Sequence, residues 1–388
     1  MTGRGIVFVS HDATRTGAPI ALLQFLRWFK KNGNRPFSVL FGAGGDLAGE
    51  FEELTDTCFI DRGQWRRDAL RTRFLIAAQL GAWTRFAESR GVRQFAAKTS
   101  PALVYVNSIA SAHVIELLTP NVPVLTHVHE LDSSFRLFQG HGLTRLLSRT
   151  AQFIACSNVT REHLARKCGV AESRIETVHE SIPVSQVRAE RGREAIFDEL
   201  GIPRDALLVA GSGTACWRKG TDLFIHMART VCQYHSHAYF CWVGGGWCVE
   251  FERDVRLAGL AKRIRFTGEV VKPADYFAAS DIFVLTSRED PYPLVCLEAA
   301  ALEKPIICFM DGGGAPEFIE EDCGFIVPYL DTVTMAERVV TLLNSPESRI
   351  RMGHAAGRKV AQRHDISLAS PRIMEIMERT IERDSRNV

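Results

Sequence analysis

Short apolar runs rich in β-branched and aromatic residues alternate with longer helix-period stretches from one end of this 388-residue chain to the other. No feature limits the fold more. An unbroken apolar strand is buried on both faces, and successive strands of that kind joined by helices lie parallel, with helices covering both sides of the sheet. The first series of runs is GIVFVS (5–10), FSVLF (37–41), TCFI (57–60), ALVYV (102–106), VLTHV (124–128), FIACS (153–157) and IETV (175–178). The second is LLVAGS (207–212), AYFCWVGG (238–245), RIRFTG (263–268), IFVLTS (282–287), PIICF (305–309) and GFIVP (324–328). Between them lies ESIPVSQVRAERGREAIFDELGIPRD, polar and proline-bearing. The pattern predicts an α/β chain of two doubly wound, Rossmann-like domains, their parallel sheets facing a central cleft: residues 1–183, a linker at 184–203, and residues 204–365. Such sheets place ligands beyond the carboxyl ends of their strands.

Composition excludes several classes. A hydrophobic fraction of 46% with 24% charged residues describes an ordinary globular chain with little room for disorder. The formal net charge of +2 is too small for a general nucleic-acid coat. The longest nearly uninterrupted apolar stretch, FLIAAQLGAW (74–83), is about half the length that spans a bilayer. The start MTGRGIVFVSHD lacks the apolar core of a signal peptide, so the expected location is cytoplasmic. Ten scattered cysteines without a CxxC pair read as buried thiols of a reducing compartment. One segment departs from charge balance: from Arg62 to Lys98, nine basic residues face two acidic ones, interleaved with Trp65, Phe74, Trp83 and Phe86. It fits peripheral contact with an anionic membrane, at the inner face, or an anionic acceptor; it fits equally a solvated helix packed by its apolar stripe.

The densest chemistry lies in TSREDPYPLVCLEAAALEKPIICF (286–309). A strand ends near Ser287, a proline-bearing loop follows, and a helix begins around Pro293, where the missing N–H costs nothing. Asp290 then precedes a helix N-terminus and Glu298 lies one and a half turns inside. Carboxylates there accept paired hydroxyl hydrogen bonds, as a sugar or ribose demands, and the free amides of the helix start favour a phosphate. Asp290 as a simple cap, and Glu298 as an ordinary helix acid, are the plainer readings. In GSGTACWRKGTDLF (211–224), a strand runs into a turn loosened by Gly213 that carries Arg218 and Lys219. Adjacent cations suit a diphosphate, Arg binding bidentately and Lys as a point charge; a cationic surface loop would look the same. WVGGGW (242–247) and DGGGAPEFI (311–319) place glycines after strands, for close approach to a ligand or for tight turns.

In the first half, SHDATRTGAP (10–19) brings Gly17 and THVHELDSSF (126–135) brings His129 to strand ends. The backbone at Gly17 suits a phosphate or sugar, and His129 could orient a substrate hydroxyl or be structural; His127 reads as a core histidine. No metal site is expected: CQYHSH (232–237) falls short of a zinc ligand set, and no Asp-x-Asp pair occurs to hold a diphosphate through a divalent cation. Dinucleotide, P-loop and serine-hydrolase motifs are incomplete or absent.

TSREDPYPLVCLEAAALEKPII resembles the acid-x7-Glu signature of the family 4 glycosyltransferases, and WRKGTDLF their phosphate-binding Arg-Lys loop. The likeness covers essentially the whole chain and is strongest over 205–330. It implies a GT-B fold, an N-terminal acceptor-binding and a C-terminal nucleotide-sugar-binding domain, and a final helix (366–388) crossing back onto the first domain. It further implies retention of anomeric configuration, no metal, no cofactor beyond a nucleotide-diphospho-sugar donor, and a glycan or lipid-linked acceptor. Carried over residue by residue, Glu298 is similar to the ribose-binding glutamate and Asp290 to the acid on the donor sugar hydroxyls. Arg218 and Lys219 match the diphosphate pair, His129 the cleft histidine, Gly17 the first-loop glycine, and Val270 the residue whose backbone reads the base. Pro293 replaces a usual glycine and leaves the amides of Leu294 and Val295 for the anion. An epimerase or hydrolase on the same frame, or a non-catalytic nucleotide-sugar-binding subunit, are the competing expectations.

Overall fold

The computed structural model describes residues 4–61, 92, 94, 95, 98–118, 122–246 and 248–385. The basic segment 62–98 lies outside the described residues apart from 92, 94, 95 and 98. The chain forms two compact units, Met1–His179 together with Ala369–Val388, and Glu180–Leu368.

The first unit is built on a seven-stranded sheet. Its strands are β1 (Ile6–Ser10), β2 (Phe37–Ala43), β3 (Thr57–Asp61), β4 (Leu103–Asn107), β5 (Val124–Val128), β6 (Thr150–Ala155) and β7 (Ile175–Thr177), in the order β3-β2-β1-β4-β5-β6-β7. All pairings are parallel, with Ile6 beside both Phe37 and Leu103. Two-faced burial explains the unbroken apolar runs. Ile6 and Phe8 join one core with Leu22, Phe25 and Phe29 of the helix Gly17–Asn32, whereas Val7 and Val9 join another with Val104, Val106 and Ile115. The final helix, Ile366–Ser385, adds Ile373, Ile376 and Met377 to the Phe8 core. Two ion pairs fix it there: Arg35 donates to Glu378 through Nε and Nη2, each at 2.7 Å, and Arg379 Nη2 donates to both oxygens of Glu176 at 2.8 and 2.9 Å.

The second unit carries β8 (Leu207–Ser212), β9 (Ala238–Val243), β10 (Ile264–Phe266), β11 (Ile282–Leu285), β12 (Ile306–Phe309) and β13 (Gly324–Val327). Their order is β10-β9-β8-β11-β12-β13, again all parallel. The core on one face joins Phe240 and Trp242 to Phe224, Met227 and Val231 of the helix Thr221–Tyr234. The stretch read as a linker is not free chain. Arg193–Leu200 is a helix burying Ile196, Phe197 and Leu200, and Arg193 reaches Asp281 at 2.8 Å. Three apolar residues at helical spacing, hidden in a charge-rich sequence, secure it to this unit. No helix among the described residues is long and apolar enough to cross a membrane.

Candidate functional site

In each sheet the strand order reverses direction beside the first strand of the series, between β1 and β4 and between β8 and β11. Loops leaving the two strands at such a point diverge and open a crevice. Most of the residues singled out from the sequence stand at these two points.

In the second unit the β8 loop carries Arg218 and Lys219 and the β11 loop carries Asp290. Lys219 Nζ lies 2.5 Å from Asp290 Oδ2, and Ser287 Oγ donates to the same oxygen at 3.2 Å. Asp290 is therefore no helix cap. The helix Leu294–Ala301 starts with Pro293 at its N-cap and no side-chain cap at all, so the amides of Leu294 and Val295 stay available as donors. Buried Asp290 is instead held by a cation and a hydroxyl through one oxygen. Arg218 Nη1 donates to the carbonyl of Glu289 at 2.8 Å, which secures the guanidinium while its other nitrogens remain for a ligand.

Glu298 stands on the Leu294–Ala301 helix and is half-buried. Lost hydration pushes its carboxyl pKa up to about 7, and no hydrogen bond or ion pair among the described residues offsets that burial. A carboxyl shielded from water without a partner is costly to the fold, and such costs cluster where a ligand supplies the missing contacts.

The glycine loops serve each other. Gly244, at φ +139, packs so close to Gly213 that an added Cβ would lie 2.3 Å from the Gly213 carbonyl oxygen. The Gly244 N–H donates to Gly268 O at 3.1 Å, which ties in the β10 loop that bears half-buried Val270. Gly313, at φ +124, would set a Cβ 1.9 Å from Asp290 O. Backbone-to-backbone packing of neighbouring loops, more than a tight turn, is what demands glycine at these two places.

In the first unit Gly17 is exposed and opens the helix Gly17–Asn32, whose N-cap Thr16 offers no side-chain bond. His129 follows β5, its Nε2 3.0 Å from Asn107 Oδ1 at the end of β4. Asn107 Nδ2 donates to Ala18 O at 2.9 Å, so its oxygen is the atom facing His129. An amide oxygen only accepts, which assigns the proton of this bond to His129 Nε2. His127 is a core histidine as read: buried, bonded through Nδ1 to Tyr105 OH at 2.7 Å, and held well below the ordinary imidazole range by burial and then by His129. The sequence reading missed Asn107, which links the Gly17 loop to His129. It also missed Glu130, whose Oε2 accepts from the backbone N–H of His129 at 2.9 Å and of Ile109 at 3.3 Å. An asparagine closing a buried strand (LVYVN) was the available signal. In the second unit it missed Thr286, Ser287 and Arg288 as partners of the cationic turn.

Comparison with known proteins covers both units. The model of a family described as "Glycosyltransferase Family 4" matches residues 15–186, and that of "Glycosyl transferases group 1" matches residues 204–345. A D-inositol 3-phosphate glycosyltransferase of Streptomyces avermitilis is 25% identical over 229 residues, 56% of this chain and 49% of the relative. The chain thus spans about half the length of that relative. Spore coat protein SA of Bacillus subtilis is 24% identical over 67% of this chain and 73% of its own. Among solved structures, Anabaena HepE in complex with UDP and glucose superposes with a TM-score of 0.80 at 17% identity, covering 97% of this chain and 100% of its own. Sucrose-phosphate synthase of Thermosynechococcus elongatus gives 0.78 at 17% identity, covering 97% and 99%. At such identities the likeness speaks for the two-sheet fold.

Proposed function

The chain belongs to the family 4 glycosyltransferases of the GT-B fold, and from that premise we propose that it moves a sugar from a nucleotide-diphospho-sugar to a hydroxyl of a glycan or lipid-linked acceptor, with retained anomeric configuration and without a metal ion. One observation carries the reading: at the switch point of the second unit the β8 loop bears two cations, and the helix that follows the β11 loop has an uncapped start and a carboxyl without a partner among the described residues. The UDP and glucose held by the Anabaena protein of like fold support the same ligand class.

In this reading the diphosphate lies against Arg218, Lys219 and the amides of Leu294 and Val295. Glu298 accepts the ribose hydroxyls, and the Oδ1 oxygen of Asp290 accepts a hydroxyl of the donor sugar while Oδ2 keeps Lys219 in place. Val270 offers backbone to the base, and Gly213 gives the turn its freedom. As the bond from the anomeric carbon to the phosphate oxygen breaks, negative charge grows on that oxygen and the sugar gains oxocarbenium character. The cations and amides stabilise the first of these before any proton moves. The acceptor oxygen then bonds to the anomeric carbon on the face the phosphate has left, and the departing phosphate takes the acceptor proton. His129, aligned by Asn107, orients a substrate hydroxyl, and Gly17 lets the first loop approach it.

The test is direct. Binding of UDP, GDP, ADP and TDP and their sugars is measured by calorimetry, then turnover with glycan and lipid-linked acceptors in chelator, with the product's anomeric configuration read by NMR. One diphosphate series should bind and yield a retained glycoside. No binding in any series overturns the reading; donor hydrolysis unaffected by acceptor would convert it to a hydrolase.

A further inference from the structure

We infer that Arg288, assisted by Thr286, is a positioning residue for the anion site, one that straps the carbonyl oxygens of the Trp217–Gly220 turn to the root of the β11 loop so that the turn presents only its cations and amides to a diphosphate. This rests on the reading of that site as a nucleotide-diphosphate cradle.

The strap holds three of four successive carbonyls and lies beside the fourth. Trp217 O accepts from Arg288 Nη1 at 2.7 Å, and Arg218 O from the Arg288 backbone N–H at 2.8 Å. Gly220 O accepts from the single Thr286 hydroxyl proton at 2.8 Å, and Lys219 O lies 3.3 Å from the same oxygen. A carbonyl oxygen turned toward a phosphate would repel it, so directing these oxygens at Arg288 and Thr286 polarises the turn before any ligand arrives. The cations meanwhile reach farther along the same loop, Arg218 to Glu289 and Lys219 to Asp290, toward the helix start at Leu294.

Arg288 is not itself an anion ligand. Its fork closes on both oxygens of Asp222 at 2.8 and 2.7 Å, the indole of Trp217 lies 5.0 Å from its guanidinium carbon, and its side chain is only 12% exposed. Its charge is spent on the first turn of the helix Thr221–Tyr234, which follows the cationic turn directly. The planar guanidinium holds the two carboxylate oxygens from separate nitrogens in parallel and the carbonyl by a further N–H, a span that the single nitrogen of a lysine does not reproduce.

The test uses calorimetry on the full chain with UDP, GDP, ADP and TDP and the matching monophosphates, for the wild type, Arg288→Lys and Thr286→Val, with ligand-free melting curves for each. Arg288→Lys should weaken the diphosphate that binds by roughly tenfold, and Thr286→Val by roughly threefold, while the monophosphate changes less than twofold. The preference for diphosphate over monophosphate therefore falls, which a loss of folding alone would not produce. An unchanged preference in both variants overturns the inference, as does a parallel loss of both ligands with a lowered melting temperature. If no diphosphate binds the wild type, the cradle reading itself fails and this inference with it.

Discussion

Glu298 gives the sharpest test of whether the switch point of the second unit was shaped for a ligand. Burial moves its carboxyl from the ordinary 4.5 to about 7. The folded chain thus keeps a proton through a range in which the unfolded chain has lost it, and stability falls as pH rises through that range. Below the unfolded value the group costs nothing; above about 7 the charged carboxylate bears its whole loss of hydration. At about 1.4 kcal/mol per pH unit the ceiling is about 3 kcal/mol, and the residue's partial exposure reduces it to roughly 1–3 kcal/mol. Glu298→Gln keeps the shape and removes the charge. Urea unfolding at several values between about pH 5 and 8.5 should give nearly equal stabilities at the acid end and a variant roughly 1–3 kcal/mol more stable at the alkaline end. The same variant should bind the nucleotide diphosphate roughly tenfold more weakly, because an amide accepts through one oxygen where a carboxylate accepts through two. Gains in stability paired with losses in affinity mark a site whose strain is kept for binding. A stability gap that does not change with pH, or a variant less stable at alkaline pH, would refute the reasoning.

Other expectations follow from the same contacts. Nucleotide affinity should rise with pH up to about 7 as Glu298 ionises, with proton release visible when calorimetry is repeated in buffers of different ionisation enthalpy. Arg218→Ala should lower kcat/KM for the donor by roughly a hundredfold or more, since the developing phosphate charge loses a bidentate partner; unchanged turnover at both limiting and saturating donor would exclude the assignment. Gly313→Ala places a methyl 1.9 Å from Asp290 O at φ +124, so the Asp290 loop must shift. Donor binding should suffer along with roughly 2 kcal/mol or more of stability, seen in melting and calorimetry together. Ile376→Ala, deep in the core that the final helix shares with Phe8, should cost about 2–5 kcal/mol in urea unfolding, whereas a helix merely lying on the surface would lose almost nothing.

Much of the fold was legible because burial on both faces leaves a plain trace. Every apolar run read as a strand is one, from Ile6–Ser10 to Gly324–Val327, with ends displaced by a few residues, as at β6, which begins at Thr150. The helix Arg193–Leu200 was hidden because only three of its eight residues are buried and, apart from Ala195, the rest are charged. The site was legible in residue type but not in partnership. Asp290 read as a cap because it precedes a helix by a few residues, yet the loop turns it toward Lys219, 71 positions earlier in the chain. Arg288 and Thr286 carried no signal, since one arginine in a polar loop looks like any other until its carbonyl partners are known.

By itself the sequence determined the local alternatives: which runs are buried on both sides, where helices begin, and which side chains can bear charge beside a strand end. These depend on hydrophobic period and on backbone chemistry within a few residues. Tertiary structure alone decided which of those charges meet. Parallel pairing brought β8 beside β11 and β1 beside β4 across long separations in sequence, and so set their loops at the two switch points. Lys219 met Asp290 across β8 and β11, His129 met Asn107 across β4 and β5, and Glu298 came to rest half-buried with nothing among the described residues to pair with. Strand order is a global outcome of packing, and no spacing along the chain encodes it.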